Sequence, residues 1–242
     1  MHNATFSSEI SVELIKHSAS DMDVATAAWV STKGERSKNS NIDVSTTDVT
    51  KVPGLINFLM RERHGSPFEH SYFTFYVKAP IFVWREHMRH RIASYNEESG
   101  RYKVLDPEFY IPLRERHLQQ IGKTGKYEFI AGSDAQYAVL LTTLKKNCTT
   151  SYTDYLQLIN NGIAKEVARM VLPINIYSSA YVTMNARALM NFLSLRRNVE
   201  GSMFPSYPQR EIEIVAEKYE EYFKDLMPIT HAAFESNGRV SP

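Results

Sequence analysis

The chain has 242 residues, 43% of them hydrophobic and 12% aromatic, with a formal net charge of +1. That is enough apolar material for a buried core, and too little net charge for a global field that would mark a nucleic-acid or membrane-surface binder. A single cysteine, Cys148, excludes an intramolecular disulfide and a cysteine-rich metal site, and fits a reducing compartment.

The N-terminal stretch lacks a basic start followed by a long apolar run, and no apolar stretch is long enough to span a bilayer. A cytoplasmic protein is therefore expected. Residues 11–18, "SVELIKHS", alternate briefly like a strand, and "SDMDVATAAWVST" reads as a Ser/Asp-capped helix with the Val24, Ala28 and Val30 region toward a core. Residues 31–50, rich in Ser, Thr, Asn, Lys and Gly, suit a surface loop. A helix resumes at "KVPGLINFLMRERHG", with Pro53 in its first turn and Gly65 at its end.

In "HSYFTFYVKAP", Phe73, Phe75 and Val77 alternate with Tyr72, Thr74, Tyr76 and Lys78, the period of a strand covered on one side. Pro80 suits the first position of a helix over 81–92, on which Ile81, Trp84, Met88 and Ile92 form one stripe. "DPEFYIP" is extended, and 114–134 is expected to be a charged, Gly-punctuated connector. Helices follow at "SDAQYAVLLTTLKKNCTTSYTDYLQLINNG", at "IAKEVARMVLP", where Pro173 stops it, and at "NARALMNFLSLRR". The last helix is "QREIEIVAEKYEEYFKDL". With no repeat, low-complexity tract or linker, a single α+β domain over 1–242 is the simplest expectation.

Chemistry concentrates in "RHRIASYNEESGRY", residues 89–102. On the helix over 81–92, Arg85 and Arg89 flank the apolar stripe and His90 points nearly opposite, an arrangement that serves two ligands on different sides, one ligand between neighbouring subunits, or a solvated basic helix end. The turn that follows adds hydroxyl, amide and carboxylate groups. Arginines offer planar bidentate donors to phosphate, while Asn and Glu can read a base edge or ribose hydroxyls, so a phosphorylated, hydrogen-bond-rich small molecule fits. His87 and His90, with Glu86, His70 and Glu69 nearby, make a weak metal set: the spacing is not that of a zinc helix, and Arg85, Arg89 and Arg91 would repel a cation.

A second cluster lies in "MNARALMNFLSLRR". Asn185, Leu189, Phe192 and Arg196 share one stripe, and Arg187 and Asn191 another. Arg196 is either a helix-end cap or a cation brought into a dry pocket. Arg169 is either a snorkelling helix arginine or a phosphate clamp, and His64 or Ser66 either contacts a ligand or caps a helix.

Arg89-His90-Arg91, Ser94, Ser99 and Arg101 match R-H-R-x-x-S-x-x-x-x-S-x-R, and the chain resembles the flavin-dependent thymidylate synthases over roughly residues 10 to 225. The segments "HGSPFEHSYFTFYVKAP", "FYIP", "EVARMVLPINIY" and "NARALMNFLSLR" fall in the family's order. The resemblance implies a mainly antiparallel sheet flanked by long helices, and methylation of dUMP to dTMP with 5,10-methylenetetrahydrofolate as carbon donor and FAD, reduced by NADPH, as hydride source. It implies a homotetramer with sites at subunit junctions, and neither nucleic acid nor membrane as a partner.

Carried over residue by residue, dUMP contacts fall on Glu86, His87, Met88, Arg89, Glu97, Glu98, Ser99, Gly100, Arg101, Arg169 and Arg196. FAD contacts fall on Ser66, Arg89, His90, Arg91, Asn185, Ala186, Arg187 and Asn191. Arg196 matches the arginine that activates the uracil ring. Cys148 lies outside every cluster, so no thiol nucleophile is implied, and Ser99 lacks an adjacent general base in sequence. No metal is implied. The segment 197–209 departs from the family pattern and is assigned no flavin contact. A noncatalytic nucleotide- or RNA-binding protein and a metal-dependent nucleotide hydrolase are the alternatives, marked by salt-sensitive polynucleotide affinity and by chelator sensitivity respectively.

Overall fold

The computed structural model describes residues 4–38, 49–123 and 126–242. In chain order the elements are β1 (Thr5–Ser7), β2 (Ser11–Ser18), α1 (Asp21–Lys33), α2 (Val52–Arg61), β3 (Tyr72–Pro80), α3 (Ile81–His87), β4 (Ser94–Glu97) and β5 (Glu108–Tyr110). There follow β6 (Gln119–Lys123), β7 (Lys126–Ile130), α4 (Asp134–Asn160), α5 (Lys165–Ala168), β8 (Tyr177–Asn185), α6 (Ala186–Arg196), α7 (Arg210–Leu226) and α8 (Pro228–Ser236). The main sheet has the order β2-β3-β8-β4, β6 and β7 form an antiparallel hairpin, and β1 and β5 form a short parallel pair. The expected α+β class with an antiparallel sheet is what the chain adopts.

The chain forms two units, each gathered from separated stretches. The first comprises residues up to Ser11 with Lys78–Met88 and Glu97–Ala180; the second comprises Val12–Val77, Arg89–Asn96 and Tyr181–Pro242.

In the second unit the alternation of β3 does what its period requires: Phe73, Phe75 and Val77 are buried while Tyr72 and Tyr76 are exposed. Against that apolar face lies α7, whose Ile212, Val215, Tyr219 and Phe223 are buried. Phe75 meets Tyr219 at 4.4 Å, Phe73 meets Phe223 edge-on at 6.3 Å, and Tyr219 meets Phe192 of α6 at 5.5 Å. Each fully buried side chain of this size contributes about 1.5–3 kcal/mol, so this aromatic layer dominates the unit's cohesion. Asp21, buried at the start of α1, accepts from the backbone of Ile229 (3.0 Å) and Thr230 (2.8 Å) and caps α8 from outside its own helix.

In the first unit Phe109, Cys148, Tyr152, Tyr155 and Ile176 form a core under the long α4. Tyr155 Oη accepts from the Leu105 N–H at 3.2 Å and Tyr152 Oη donates to the Leu105 carbonyl at 2.9 Å. Two buried phenols thus fix the backbone just after the polar turn at 98–103. Ser133 and Gln136 form a capping box that starts α4.

Several expectations need correction. The helix after Pro80 ends at His87 instead of 92, because the chain turns at Met88 and Arg89; Ile92 is 75% exposed, so the four-residue stripe does not exist and Arg89-His90-Arg91 is not helical. Pro80 closes β3 in extended backbone and stands just before α3 instead of at its first helical position. Helix α2 ends at Arg61 in a Schellman turn, with the His64 N–H bonded to the Leu59 carbonyl (2.9 Å) and the Arg63 N–H to that of Met60 (3.3 Å). The left-handed position is Arg63 (φ 63°), and Gly65 serves closeness instead: a Cβ there would stand 2.5 Å from the Arg187 guanidinium.

The stretch expected as a connector carries the β6–β7 hairpin, whose pairing of Ile121 with Glu128 and Gln120 with Phe129 gives little apolar alternation to read. Strand β8 was not expected, since its small Ser178, Ser179 and Ala180 blur the pattern, and α8 follows the helix expected to be last. Val24 is buried as expected, but Val30 is 56% exposed. Of the loop expected at 31–50, residues 39–48 lie outside the described residues; α1 reaches Lys33 and a 3-10 turn, Gly34–Lys38, follows.

Candidate functional site

The second unit contains a cavity of about 650 Å³ lined by Arg63, Arg89, Arg91, Arg187 and Arg196, with Glu69 also in its lining. Five guanidinium groups around one concavity make a strongly positive enclosure, and its volume lies within the range of small-molecule sites. The start of α6 adds to the field. Asn185 caps it, its Oδ1 accepting from the Ala188 N–H at 2.8 Å, and Asn185, Arg187 and Ala188 all line the cavity. A helix start with adjacent arginines is chemistry suited to a diphosphate.

Each wall is placed by a local device. Arg63 enters the cavity from the left-handed residue of the α2 Schellman turn. Glu69 stands on the 3-10 turn Ser66–His70 and pairs with Arg187, whose Nε also donates to the Pro242 carbonyl oxygen at 2.6 Å.

His90 is held at three points. Its ring lies 4.5 Å from that of Phe192, its carbonyl accepts from Tyr95 Oη at 2.9 Å, and its Nε2 accepts from Arg196 Nε at 3.0 Å. An Nε2 that accepts from a guanidinium must carry no proton, so the ring is neutral with its hydrogen on Nδ1. Burial, and then the Arg196 charge, lower its pKa from 6.5 to about 4. Burial likewise pushes the Tyr95 phenol up to about 12, keeping it a donor. The result is an Arg196 whose Nε is fixed by a neutral ring.

The polar turn of the first unit is organised differently. Glu97 accepts from Ser178 Oγ, Glu98 accepts from the Ser179 N–H (3.1 Å) and from Lys103 Nζ (3.0 Å), and Arg101 pairs with Glu166 at 2.8 Å. Lys103 also reaches Asp106 at 2.9 Å, and those two partners raise its pKa. Ser99 Oγ accepts from the Arg101 N–H (3.2 Å), a turn-forming role. Gly100 is buried where a Cβ would meet Leu105 Cδ1 at 3.1 Å and Arg169 Cδ at 3.3 Å, so its lack of a side chain lets Arg169 lie against the turn.

Of the residues carried over for FAD, Arg89, His90, Arg91, Asn185, Arg187 and Asn191 converge on the cavity, and Ala186 opens α6 beside it. Ser66 is exposed on the turn that carries Glu69 and is not among the lining residues. Of those carried over for dUMP, Glu97, Glu98, Ser99, Gly100 and Arg101 form one turn with Arg169 beside it. Glu86, His87 and Met88 lie at the end of α3, where the His87 ring is fully buried, 5.3 Å from that of Trp84. Arg89 and Arg196 belong to the cavity.

Sequence reading missed Arg63, Glu69, Ser241 and Pro242 as lining residues. The run Arg61-Glu62-Arg63-His64 before Gly65 signalled a helix end, but only the turn geometry aims Arg63. Cys148 is 1% exposed, its Sγ 3.3 Å from Asn175 Nδ2, and burial raises its pKa, the reverse of an activated thiol. Glu220, His231 and Glu235 cluster closely enough to hold an ion, yet Arg239 Nη1 stands 2.6 Å and Arg197 Nε 2.9 Å from Glu220 and supply the positive charge there.

The family model described as "Thymidylate synthase complementing protein" matches residues 13–229, and the chain belongs to that family. A flavin-dependent thymidylate synthase of Tropheryma whipplei (strain TW08/27) is 59% identical over 237 residues, 98% of this chain and 97% of the relative. One of Streptomyces avermitilis is 52% identical over 239 residues, covering 98% and 96% of the two chains. Among solved structures, a UMP/dUMP methylase, PolB, of Streptomyces cacaoi bound with 5-Br dUMP superposes with a TM-score of 0.91 at 47% identity, over 98% of this chain and 99% of that one.

Proposed function

We propose that the protein is a flavin-dependent thymidylate synthase that methylates dUMP to dTMP, with 5,10-methylenetetrahydrofolate as carbon donor and FAD reduced by NADPH. The observation that carries this reading is the five-arginine cavity at the start of α6 with Arg196 fixed against a neutral His90, in a chain 59% identical over nearly its whole length to a flavin-dependent thymidylate synthase. The reading treats residues 1–242 as one functional domain, since the family match runs through both units. It also takes the protein to act in the cytoplasm as a homotetramer. Among the described residues no helix is long and apolar enough to cross a membrane.

The residues fit a flavin dinucleotide. Arg63, Arg89, Arg91 and Arg187 with the α6 backbone would hold its diphosphate, and the cavity volume accommodates part of a ligand of that size. When bound, the flavin supplies the reducing equivalents that complete the methyl group. The chain's own part is alignment and charge. Arg196 presents a permanent cation that stabilises negative charge developing on the O4/N3 edge of uracil, polarising C5=C6 without a covalent adduct. His90 keeps that cation oriented while adding no charge of its own. Assigning dUMP to Glu86–Arg89, Glu97–Arg101, Arg169 and Arg196 gives its phosphate arginines and its sugar and base the hydrogen-bonding groups of the turn. Cys148 has no part in this scheme.

The test is tritium release to water from dUMP labelled at C5, with purified protein, FAD, NADPH and methylenetetrahydrofolate, each omitted in turn. Release that requires FAD and the folate, with dTMP formed, establishes the reading. No release from folded, flavin-loaded protein refutes it.

A further inference from the structure

One wall of the cavity, the segment after α8, lies outside the arginine-rich motifs of the chain. Helix α8 ends in a Schellman turn in which Gly238 is left-handed (φ 73°) and the Arg239 N–H bonds to the Phe234 carbonyl at 2.9 Å. The chain then runs through Val240 to the cavity. There Ser241 Oγ donates to the Arg187 carbonyl at 3.0 Å, and the Pro242 carbonyl accepts from Arg187 Nε at 2.6 Å. These bonds and Glu69 aim the Arg187 guanidinium.

What holds that segment is a buried carboxylate outside the cavity. Glu220 of α7 takes Arg239 Nη1 (2.6 Å) and His231 Nε2 (3.0 Å) on Oε1, and Arg197 Nε (2.9 Å) on Oε2. Arg239 is 5% exposed and its guanidinium lies over the Phe234 ring at 5.0 Å. Arg197 directly follows Arg196 and ends α6. One carboxylate therefore grips both the residue before the Val240–Pro242 wall and the residue after the Arg196 wall. The divergent stretch 197–209 joins the same brace, since the Met203 N–H bonds to the Gly238 carbonyl at 3.0 Å and its side chain fills the space a Cβ at 238 would need.

We infer that Glu220 is a positioning residue for flavin binding, acting through Arg239 and the Val240–Pro242 segment on Arg187. The inference rests on the flavin reading of the cavity. Burial alone would raise the Glu220 pKa, but the hydrogen bonds from His231 and Arg239, the Arg239 charge and the Arg197 bond hold it at about 2, so the carboxylate stays charged in this role at neutral pH. Loss of that charge removes the nearest carboxylate of the buried Arg239 guanidinium, which is left with Glu235 at 3.6 Å, while the half-buried Arg197 keeps Glu217 at 2.8 Å.

The experiment measures the dissociation constant of FAD by flavin fluorescence, with the melting temperature of each apoprotein alongside. Six proteins are compared: the parent, Glu220→Gln, a chain lacking Val240–Pro242, the combination of the two, Arg239→Lys and Arg239→Gln. The shortened chain keeps the Glu220–Arg239 pair and tests the wall itself, and the Arg239 substitutions test the pair even if Glu220→Gln does not fold. About tenfold weaker binding is expected in the shortened chain, with its melting temperature near the parent's. Glu220→Gln should weaken FAD to a similar degree, and made in the shortened chain it should add less than about twofold, because the route through Arg239 is already gone and Arg197 still has Glu217. Arg239→Lys, which keeps a charge opposite Glu220, should recover most of the affinity lost in Arg239→Gln. An FAD affinity within twofold of the parent in the shortened chain overturns the inference, as does a further tenfold loss on combining the changes. A parent that binds no FAD overturns the flavin reading itself.

Discussion

The polar turn of the first unit and the cavity of the second are both rich in arginine, yet they are built on opposite electrostatic plans. In the turn the charged groups are internally partnered: Glu97 with Ser178, Glu98 with Lys103, Lys103 with Asp106, Arg101 with Glu166. Such a turn holds a backbone shape, and its close contact between Gly100 and Arg169 depends on that shape. In the cavity five arginines line one concavity together with Glu69, and the group at Arg196 Nε is a neutral imidazole. Shape is stored in one region and positive charge in the other. The difference suits a reaction in which one ligand must be read by hydrogen bonds and another held by its phosphates.

That contrast can be broken by substitution. Arg196→Ala has the largest expected effect: dTMP formation falls by about 10²–10³-fold or more, as for removal of a transition-state charge stabiliser, while the melting temperature and most flavin binding persist. Near-normal turnover would end the role assigned to it. Gly100→Ala comes next. Its Cβ forces Leu105 and Arg169 to give way, so KM for dUMP should rise about tenfold, roughly 1.4 kcal/mol, with flavin affinity unchanged. A loss of flavin affinity in that variant would show that the two regions are not specialised as described.

Acidification should act on His90 of the cavity before it reaches the buried Glu220 outside it. The His90 ring takes a proton near 6.5 when unfolded and only near 4 when folded, so the unfolded state binds more protons between those values. Its contribution is complete above about pH 6.5 and native stability declines as pH falls toward 4, where protonation removes the acceptor for Arg196 Nε. Replacing His90 with Gln, which keeps an acceptor but does not titrate, should flatten that slope in melting temperature against pH; an unchanged slope assigns it to another group. Glu220, held at about 2 against 4.5 when unfolded, contributes stability above about pH 4.5 that is lost as pH falls through 2. The smallest effect is expected of Cys148→Ala, whose turnover should stay within about twofold, with a stability loss of about 1 kcal/mol read as a melting shift of about 2–4 °C. Abolished turnover in folded protein would restore a thiol mechanism.

Elements with strong period or punctuation were legible in the chain. The alternation of Phe73, Phe75 and Val77, the Ser133 and Asn185 caps and the apolar face of α7 are local signals, because burial on one side of a strand or helix writes a period into consecutive residues. Residue types sufficed for the motif as well: the arginines of 89–101 and the Asn185–Arg196 helix were identifiable as chemistry before any geometry. Strand β8 and the β6–β7 hairpin were not, since small or exposed side chains carry no period.

The helix expected to run to residue 92 failed because a turn at Met88 and Arg89 outweighed a plausible stripe, and Arg89-His90-Arg91 owes its arrangement to that turn. Tertiary structure alone decided three things about the site. It set the charge state of His90, which depends on Phe192 and Arg196 far along the chain. It aimed Arg63 by a left-handed backbone, and it brought Arg239 to Glu220 so that Ser241 and Pro242 close a wall. A side chain's type is written in the sequence, but its desolvation and its partners come from residues that only folding brings near, and its direction from a backbone conformation that residue type alone does not state.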